Sequence, residues 1–294
     1  MNVEDLVWRS QLYVPSNNQR FIAKAHTYGA DTIILDLEDS VPIEERPYAR
    51  SGLVEAVESV GQNGADVTVR INSPLLETYA DIEAAVMPGL SAVYVTKVTD
   101  GEYLKAVSDK IGQRERATGM DEGCIHIIAI IETSKAYLRA EEIACADSRT
   151  IALVLGGEDL ALDLGSVPDD ETLAMPRQHI AIVARSAGLV PFGIMGSIAD
   201  YKDLNAIRVV AERSRRFGFE GAACIHPSVV PVLNEAFTPS AIEVEHATRA
   251  VERYGNAETE GLGAITVDGK MIDVPVVRRA KNLLKRYELI KRRY

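Results

Sequence analysis

"IHIIAIIE", residues 125–132, is an almost unbroken apolar run that ends on a carboxylate. It is too short for a globular helix and too continuously apolar for a strand with one wet face. It therefore reads as a strand buried on both sides, the habit of parallel sheets covered by helices. Seven further runs share its character: "QLYVP" (11–15), "DTIILD" (31–36), "DVTVRI" (66–71), "AVYVTK" (92–97), "TIALVLG" (150–156), "LVPFGIM" (189–195) and "AACIHP" (222–227). Helical stretches with polar starts and glycine stops separate them, such as "NNQRFIAKAHTYG", "PYARSGLVEAVESVG" and "YKDLNAIRVVAERSRRFG". Eight strands alternating with helices over about 230 residues fit an α/β fold of the (β/α)8 TIM-barrel type. A doubly wound open sheet is the competing fold, but no GxGxxG follows a strand to support a dinucleotide site.

Beyond "HPSVV" the rhythm changes. An amphipathic helix over 239–255 precedes the link "GNAETEGLGA", a hairpin in "ITVDGKMIDVP" turning at "VDGK", and a last helix from about 275. The expected division is a catalytic barrel over 1–237 and a C-terminal extension over 238–294. That extension is expected to cover the barrel or reach a neighbouring subunit.

The 294 residues are 47% hydrophobic, ample for a large core. Net charge is −11, and the only basic concentration is a helix end at Lys285, Arg286 and Lys291 to Arg293, which argues against nucleic acid. No apolar run reaches 18 residues and no signal-peptide core opens the chain, so a cytoplasmic protein off the membrane is expected. Cys124, Cys145 and Cys224 have no ligand-like spacing and are read as buried small apolar residues in a reducing compartment.

A barrel does its chemistry at the C-terminal ends of its strands. Here those ends carry Asp36 with Glu38, then Arg70, Lys97, Glu132, and the "GGED" residues Glu158 and Asp159. So many carboxylates at one mouth repel each other and call for a cation or for raised pKa values. Two carboxylates plus water and substrate oxygens suit Mg²⁺, and the lack of clustered His or Cys disfavours zinc. Arg70 offers a fork for a substrate carboxylate and for charge developing beside it. A metal can polarise a 2-oxo group. The set suits carbon–carbon bond making or breaking next to a 2-oxo acid.

Plainer readings exist for each residue. Glu132 could form a structural ion pair, "GGED" could be only a turn, and Asp36 and Glu38 could simply fix Arg70, with Asp39 shaping the turn after them. Lys97 could be a Schiff-base lysine of a metal-free aldolase. His226 in "IHP" reads as a structural strand-end residue. Gly156 and Gly157 could admit substrate close to backbone amides.

Seven segments together are recognisable: "RSQLYVPSNNQRFIAKA", "GADTIILDLEDSVPIEERPYAR", "VRINSP", "IIAIIETSKAYLRAEEIA", "LGGEDLALDLG", "GFEGAACIHPSVVPVLNEAFTPS" and "DGKMIDVPVV". In this order they resemble the citrate lyase β-subunit-like branch of the HpcH/HpaI aldolase superfamily, which includes malyl-CoA, β-methylmalyl-CoA and citramalyl-CoA lyases. The resemblance implies a barrel assembling as homotrimers or hexamers. It implies Mg²⁺ held by Glu132 and Asp159, substrate bound by Arg70 with Asp36, Glu38, Gly157 and Glu158 around it, and CoA near Tyr13, Arg20 and Lys24. It also implies that Asp273, in "MIDVP", transfers protons in a neighbouring subunit's site. Because the isolated citrate lyase subunit type is expected to be shorter and to lack that segment, its presence favours a free CoA thioester.

Two departures border the expected site. Relatives often read "ETAxG" where this chain has "ETSKA", with Lys135 and Ala136. They often carry an aspartate after "AAGL", whereas "SAGLVPFGIMGSIADY" has none before Asp200. Both leave the acyl substrate open. The expected activity is an Mg²⁺-dependent acyl-CoA lyase joining or parting a 2-oxo acid, glyoxylate or pyruvate, and an acyl-CoA. A thioesterase on malyl-CoA-like substrates, an aldolase on free 2-oxo acids, and a non-enzymatic metabolite-binding barrel are the alternatives.

Overall fold

A computed structural model describes residues 3–197, 201–259, 263–267 and 269–293. Eight parallel strands form one sheet: β1 Ser10–Pro15, β2 Thr32–Asp36, β3 Asp66–Ile71, β4 Leu90–Val95, β5 His126–Ile131, β6 Thr150–Leu155, β7 Val190–Phe192 and β8 Ala222–Cys224. Their order is β7-β6-β5-β4-β3-β2-β1-β8. The edges approach one another: the Glu220 N–H donates to the Pro191 carbonyl at 3.1 Å and the Gly193 N–H to that of Gly221 at 2.9 Å. The result is a TIM-barrel-like α/β fold, nearly closed, with helices around it. The open doubly wound alternative is ruled out.

The pleat sorts the strand residues. Ile127, Ala129 and Ile131 of β5 join Ile33, Leu35, Val67, Val69, Val93 and Val95 in the layer between strands and helices. Alternate residues point into the barrel. Register runs from Asp36 to Arg70 to Tyr94 to Ile128, so one inward row carries an acid, a base and a phenol side by side. Trp8, fully buried, stacks on Phe192 with ring centroids 6.0 Å apart and donates Nε1–H to Asp66 at 2.6 Å. A side chain on Gly221 would strike the Trp8 carbonyl, so only glycine lets these segments meet.

Strand β4 lies earlier than the run at 92–97 indicates. Lys97 adopts φ +50°, which ends the extended conformation before it. The helix expected over 47–61 is two helices, Arg46–Ser51 and Leu53–Val60, divided at Gly52. "GGED" is more than a turn: it opens the helix Gly157–Leu164.

The chain divides into two compact units, Trp8–Phe237 and Thr238–Tyr294 with the N-terminal segment to Val7. In the second unit, helices Ala241–Thr259 and Val274–Arg293 pack through Ala247, Ala250, Tyr254, Val277 and Ala280. Between them runs the antiparallel hairpin of β9 Ile265–Val267 and β10 Lys270–Ile272. Gly269 in its turn has φ +74°, while Asp268 lies outside the described residues, as does Asp200. Arg286 donates to the Leu6 carbonyl, tying the N-terminal segment to the last helix.

Candidate active site

A cleft of about 290 Å³ opens at the C-terminal ends of the strands. Its wall includes Tyr13, Arg70, Glu132, Gly156, Gly157, Glu158 and Asp159, so the barrel brings most of the expected site together. Arg70, on β3, is held by its neighbour in register. Asp36 accepts from Arg70 Nε and Nη2, both at 2.7 Å, while Nη1 lies 3.0 Å from Glu38 Oε2 and 3.1 Å from Asp39 Oδ2. Asp39 therefore does more than shape a turn. The Arg70 guanidinium also sits 4.7 Å over the Tyr13 ring.

Burial opposes the charge on Asp36, yet Arg70, Ser40 and the Glu38 N–H outweigh it and hold the carboxyl below its ordinary range. On Arg70, burial is likewise overcome by Asp36 and the other acids, which raise its pKa further. The guanidinium is a fixed positive charge, oriented before any ligand arrives.

Glu132 continues β5 on the inward face and is 4% exposed. Its Oε2 accepts the Lys97 backbone N–H at 2.6 Å. Burial, with Asp159 and Glu38 repelling it, pushes its carboxyl up to about 7 despite that bond. A side chain on Gly156 would sit 2.4 Å from Glu132 Cγ, so the first glycine of "GGED" makes room for this carboxylate. Lys97 Nζ binds Glu38 Oε1 at 2.8 Å. Glu38 raises the lysine pKa and keeps the amine protonated, which opposes the Schiff-base reading.

Around this mouth Asp36, Glu38, Asp39, Glu132 and Asp159 face Arg70 and Lys97. Among the described residues no three His, Cys, Asp or Glu side chains converge as a metal cage. A cation here would take Glu132 and Asp159 and complete its shell with water and substrate oxygens, the coordination habit of Mg²⁺. The residues present fit that ion: a dry, charge-strained carboxylate, a second one beside it, and glycines that leave space.

Other expected residues fall elsewhere. Of the three cysteines read as buried, only Cys224 is; Cys124 and Cys145 are exposed. Arg20 and Lys24 are exposed on helix Gln19–Ala25 and do not line the cleft, whereas Tyr13 lies inside it beneath Arg70. Asp273 belongs to the second unit, where its Oδ1 accepts the Val276 N–H at 3.2 Å and caps the last helix. Ala136 is fully buried and Lys135 exposed, so the "ETSKA" departure stays out of the cleft wall. His226 accepts the Ser228 N–H and stacks on Tyr201 at 4.4 Å, a structural role. Arg177, 9% exposed, joins the cleft wall from helix Asp170–Ser186 without having stood out in the sequence. Within "MPRQHIAIVARS" it looks like any helix arginine.

A barrel that gathers carboxylates around a fixed arginine at the C-terminal ends of its strands has the layout of a barrel enzyme. The profile of the HpcH/HpaI aldolase/citrate lyase family matches residues 9–227, and the chain belongs to that family. It is 33% identical over 287 residues to the citrate lyase subunit beta of Escherichia coli (strain K12), covering 96% of this chain and 93% of that one. It is also 33% identical over 286 residues to a (3S)-malyl-CoA thioesterase of Cereibacter sphaeroides (strain ATCC 17029 / ATH 2.4.9), covering 96% and 95%. Among solved structures, CitE from Mycobacterium tuberculosis in complex with magnesium, acetoacetate and coenzyme A superposes with a TM-score of 0.76 at 26% identity, over 97% of this chain and 99% of that one.

These alignments correct one expectation. The E. coli citrate lyase subunit matches along nearly its whole length, so the C-terminal segment does not set this chain apart from that subunit type. The segment therefore carries no preference for free CoA over another thioester carrier.

Proposed function

We propose that this lyase is magnesium-dependent and cleaves, or in reverse forms, the carbon–carbon bond between a 2-oxo acid and the α-carbon of an acyl-CoA. The observation that carries the reading is the excess of carboxylates over cations at the barrel mouth, with Glu132 buried and repelled by Asp159. That arrangement is costly without a cation and suited to one with it. Relatives add support: a solved neighbour binds magnesium, acetoacetate and coenzyme A, and another, citrate lyase beta subunit from M. tuberculosis, binds oxaloacetate and magnesium.

When bound at Glu132 and Asp159, Mg²⁺ supplies a Lewis acid for the oxygens of the oxo-acid half. Arg70 orients that half through its remaining N–H and stabilises negative charge on the reacting oxygen. Asp36, Glu38 and Asp39 keep the guanidinium from swinging away. Lys97 holds Glu132 through its amide and Glu38 through its amine. As the bond breaks, the O–H electrons of the hydroxyl close the new oxo group and its proton passes to water, the electrons of the broken carbon–carbon bond pass to the thioester α-carbon, and Asp273 of a neighbouring subunit gives that carbon its proton. In condensation Asp273 removes it. Arg20 and Lys24, exposed after β1, supply cations for the CoA phosphates, and Tyr13 belongs with the acyl pocket. The working assembly is a homo-oligomer, trimer or hexamer, and glyoxylate or pyruvate is the oxo acid first considered.

The Cereibacter relative favours a second reading, hydrolysis of a malyl-CoA-like thioester at the same site. Product analysis separates the two. Incubation of hydroxyacyl-CoA thioesters with enzyme and Mg²⁺ yields acyl-CoA and a 2-oxo acid from a lyase. Free CoA and the intact hydroxy diacid instead would establish the thioesterase.

A further inference from the structure

The cleft runs deeper than the charged groups at its mouth. Glu132 and Gly156 line it at the ends of β5 and β6, and so do the inward residues two places earlier, Ile130 and Val154. Two strand residues span about 6–7 Å, so the cleft continues one side-chain layer into the barrel. Ile130, Val154 and Phe192 stand in register across β5, β6 and β7, as do Gln11 and Ala223 across β1 and β8. Val154 and Ala223 keep part of their surface open although they face an interior that is ordinarily close-packed. The polar groups at this depth answer each other. The Tyr94 hydroxyl donates to Gln11 Oε1, and Gln11 Nε2 donates to the Trp8 carbonyl at 3.3 Å. The layer thus offers apolar walls and spare room rather than an unmet polar partner.

We propose that this layer is an alkyl pocket, with Val154 and Ala223 as its specificity-determining residues, that takes a hydrocarbon chain on the oxo-acid half of the substrate. The inference rests on the oxo-acid reading of the cleft and deepens it. CoA is too large for a cleft of about 290 Å³ and reaches the mouth from outside, so the oxo acid is the inner piece. Its carboxylate and oxo oxygen are committed to the cation and Arg70. Only the chain on the oxo carbon is left to descend between Ile130, Val154, Phe192 and Ala223. At ~1.5 Å per bond, a depth of about 6–7 Å holds about three or four carbons beyond the oxo carbon. Glyoxylate and pyruvate leave the layer empty, whereas a longer aliphatic chain buries apolar surface in it.

Calorimetry on the full-length Mg²⁺-loaded protein tests this without requiring turnover. The probes are glyoxylate, pyruvate, 2-oxobutanoate, 2-oxopentanoate and 2-oxohexanoate. In wild type Kd should fall about fourfold with each carbon added after pyruvate, the worth of a buried methylene, until the layer is full at 2-oxopentanoate or 2-oxohexanoate. Val154→Ala should move the optimum about one carbon longer. Val154→Phe, which fills the layer, should bring 2-oxopentanoate within about threefold of pyruvate. The enlarging variant reads the pocket even where the filling one fails to fold. Oxo acids that bind with no gain beyond pyruvate overturn the alkyl pocket and leave the oxo-acid reading standing. A length series that Val154→Ala leaves unchanged also overturns it. Binding by none of the oxo acids overturns both. If thioesters are not cleaved while the length series stands, the lyase reading fails and this one survives.

Discussion

Glu132 accepts the backbone N–H of Lys97 at 2.6 Å, and Lys97 makes that bond from φ +50°. A non-glycine residue in this region costs about 1 kcal/mol or more, so the rest of the site must hold it there. The same lysine binds Glu38 through Nζ. One residue thus joins the Arg70 cluster to the buried carboxylate.

Gly156→Ala tests the space left for Glu132. The new Cβ would lie 2.4 Å from Glu132 Cγ and 2.7 Å from Oε1, so Glu132 must move. Magnesium affinity by calorimetry should fall at least about tenfold, and stability should drop by about 1–3 kcal/mol, the usual cost of overpacking. Wild-type magnesium affinity would show that Glu132 is not a ligand.

Arg70→Lys keeps the charge and loses the fork that Asp36 grips at two points. We expect kcat/KM to fall by about 10²–10³ with magnesium binding little changed. Steady-state kinetics beside a magnesium titration reads both, and a matched loss of metal would move Arg70 from substrate to metal support.

Asp273→Asn separates chemistry from folding. Asparagine caps helices as well as aspartate does, so the Val276 N–H keeps its acceptor and the melting temperature should hold. Turnover should fall by about 10²–10⁴, the typical worth of a general acid–base. Near-normal turnover removes Asp273 from the mechanism.

Acid stability should depend on Glu115. This fully buried carboxylate pairs with Arg149 at 2.6 Å and accepts the N–H groups of Gly123 and Ile125. Burial alone would raise its pKa, but Arg149 and the two N–H donors lower it. A depressed carboxyl stabilises fully above its unfolded value, near 4.3, and that contribution is lost as pH falls through the folded value. Glu115→Gln should cost about 3–5 kcal/mol at pH 7, where Arg149 is left buried and unpaired, with the gap to wild type narrowing below about pH 4. Urea unfolding at both pH values measures it, and a gap that does not change with pH contradicts the pairing.

The strands were readable because burial on both faces writes an unbroken β-branched run, as at 125–132. Strand ends were less so: nothing in "VTKV" announces the left-handed Lys97 that stops β4 at Val95. Carboxylates at strand ends pointed to the mouth of the barrel, and the pleat alone put Asp36, Arg70 and Glu132 on the inward side. Arg177 was invisible because nothing in "MPRQHIAIVARS" marks which helix arginine reaches the cleft wall, which only packing reveals. Tyr13 was grouped with Arg20 and Lys24 near CoA although, as an alternate residue of β1, it points inward with Gln11, which accepts the Tyr94 hydroxyl.

The central claim is a magnesium-dependent carbon–carbon lyase acting on CoA thioesters. Its most direct test runs in the condensation direction: enzyme, Mg²⁺, a panel of 2-oxo mono- and diacids, and acetyl- or propionyl-CoA, with products identified by mass. A hydroxyacyl-CoA whose mass is the sum of one oxo acid and one acyl-CoA, formed only with Mg²⁺ and lost in Glu132→Gln, is the predicted result. No adduct from any pair, or an adduct formed equally without metal, would contradict it.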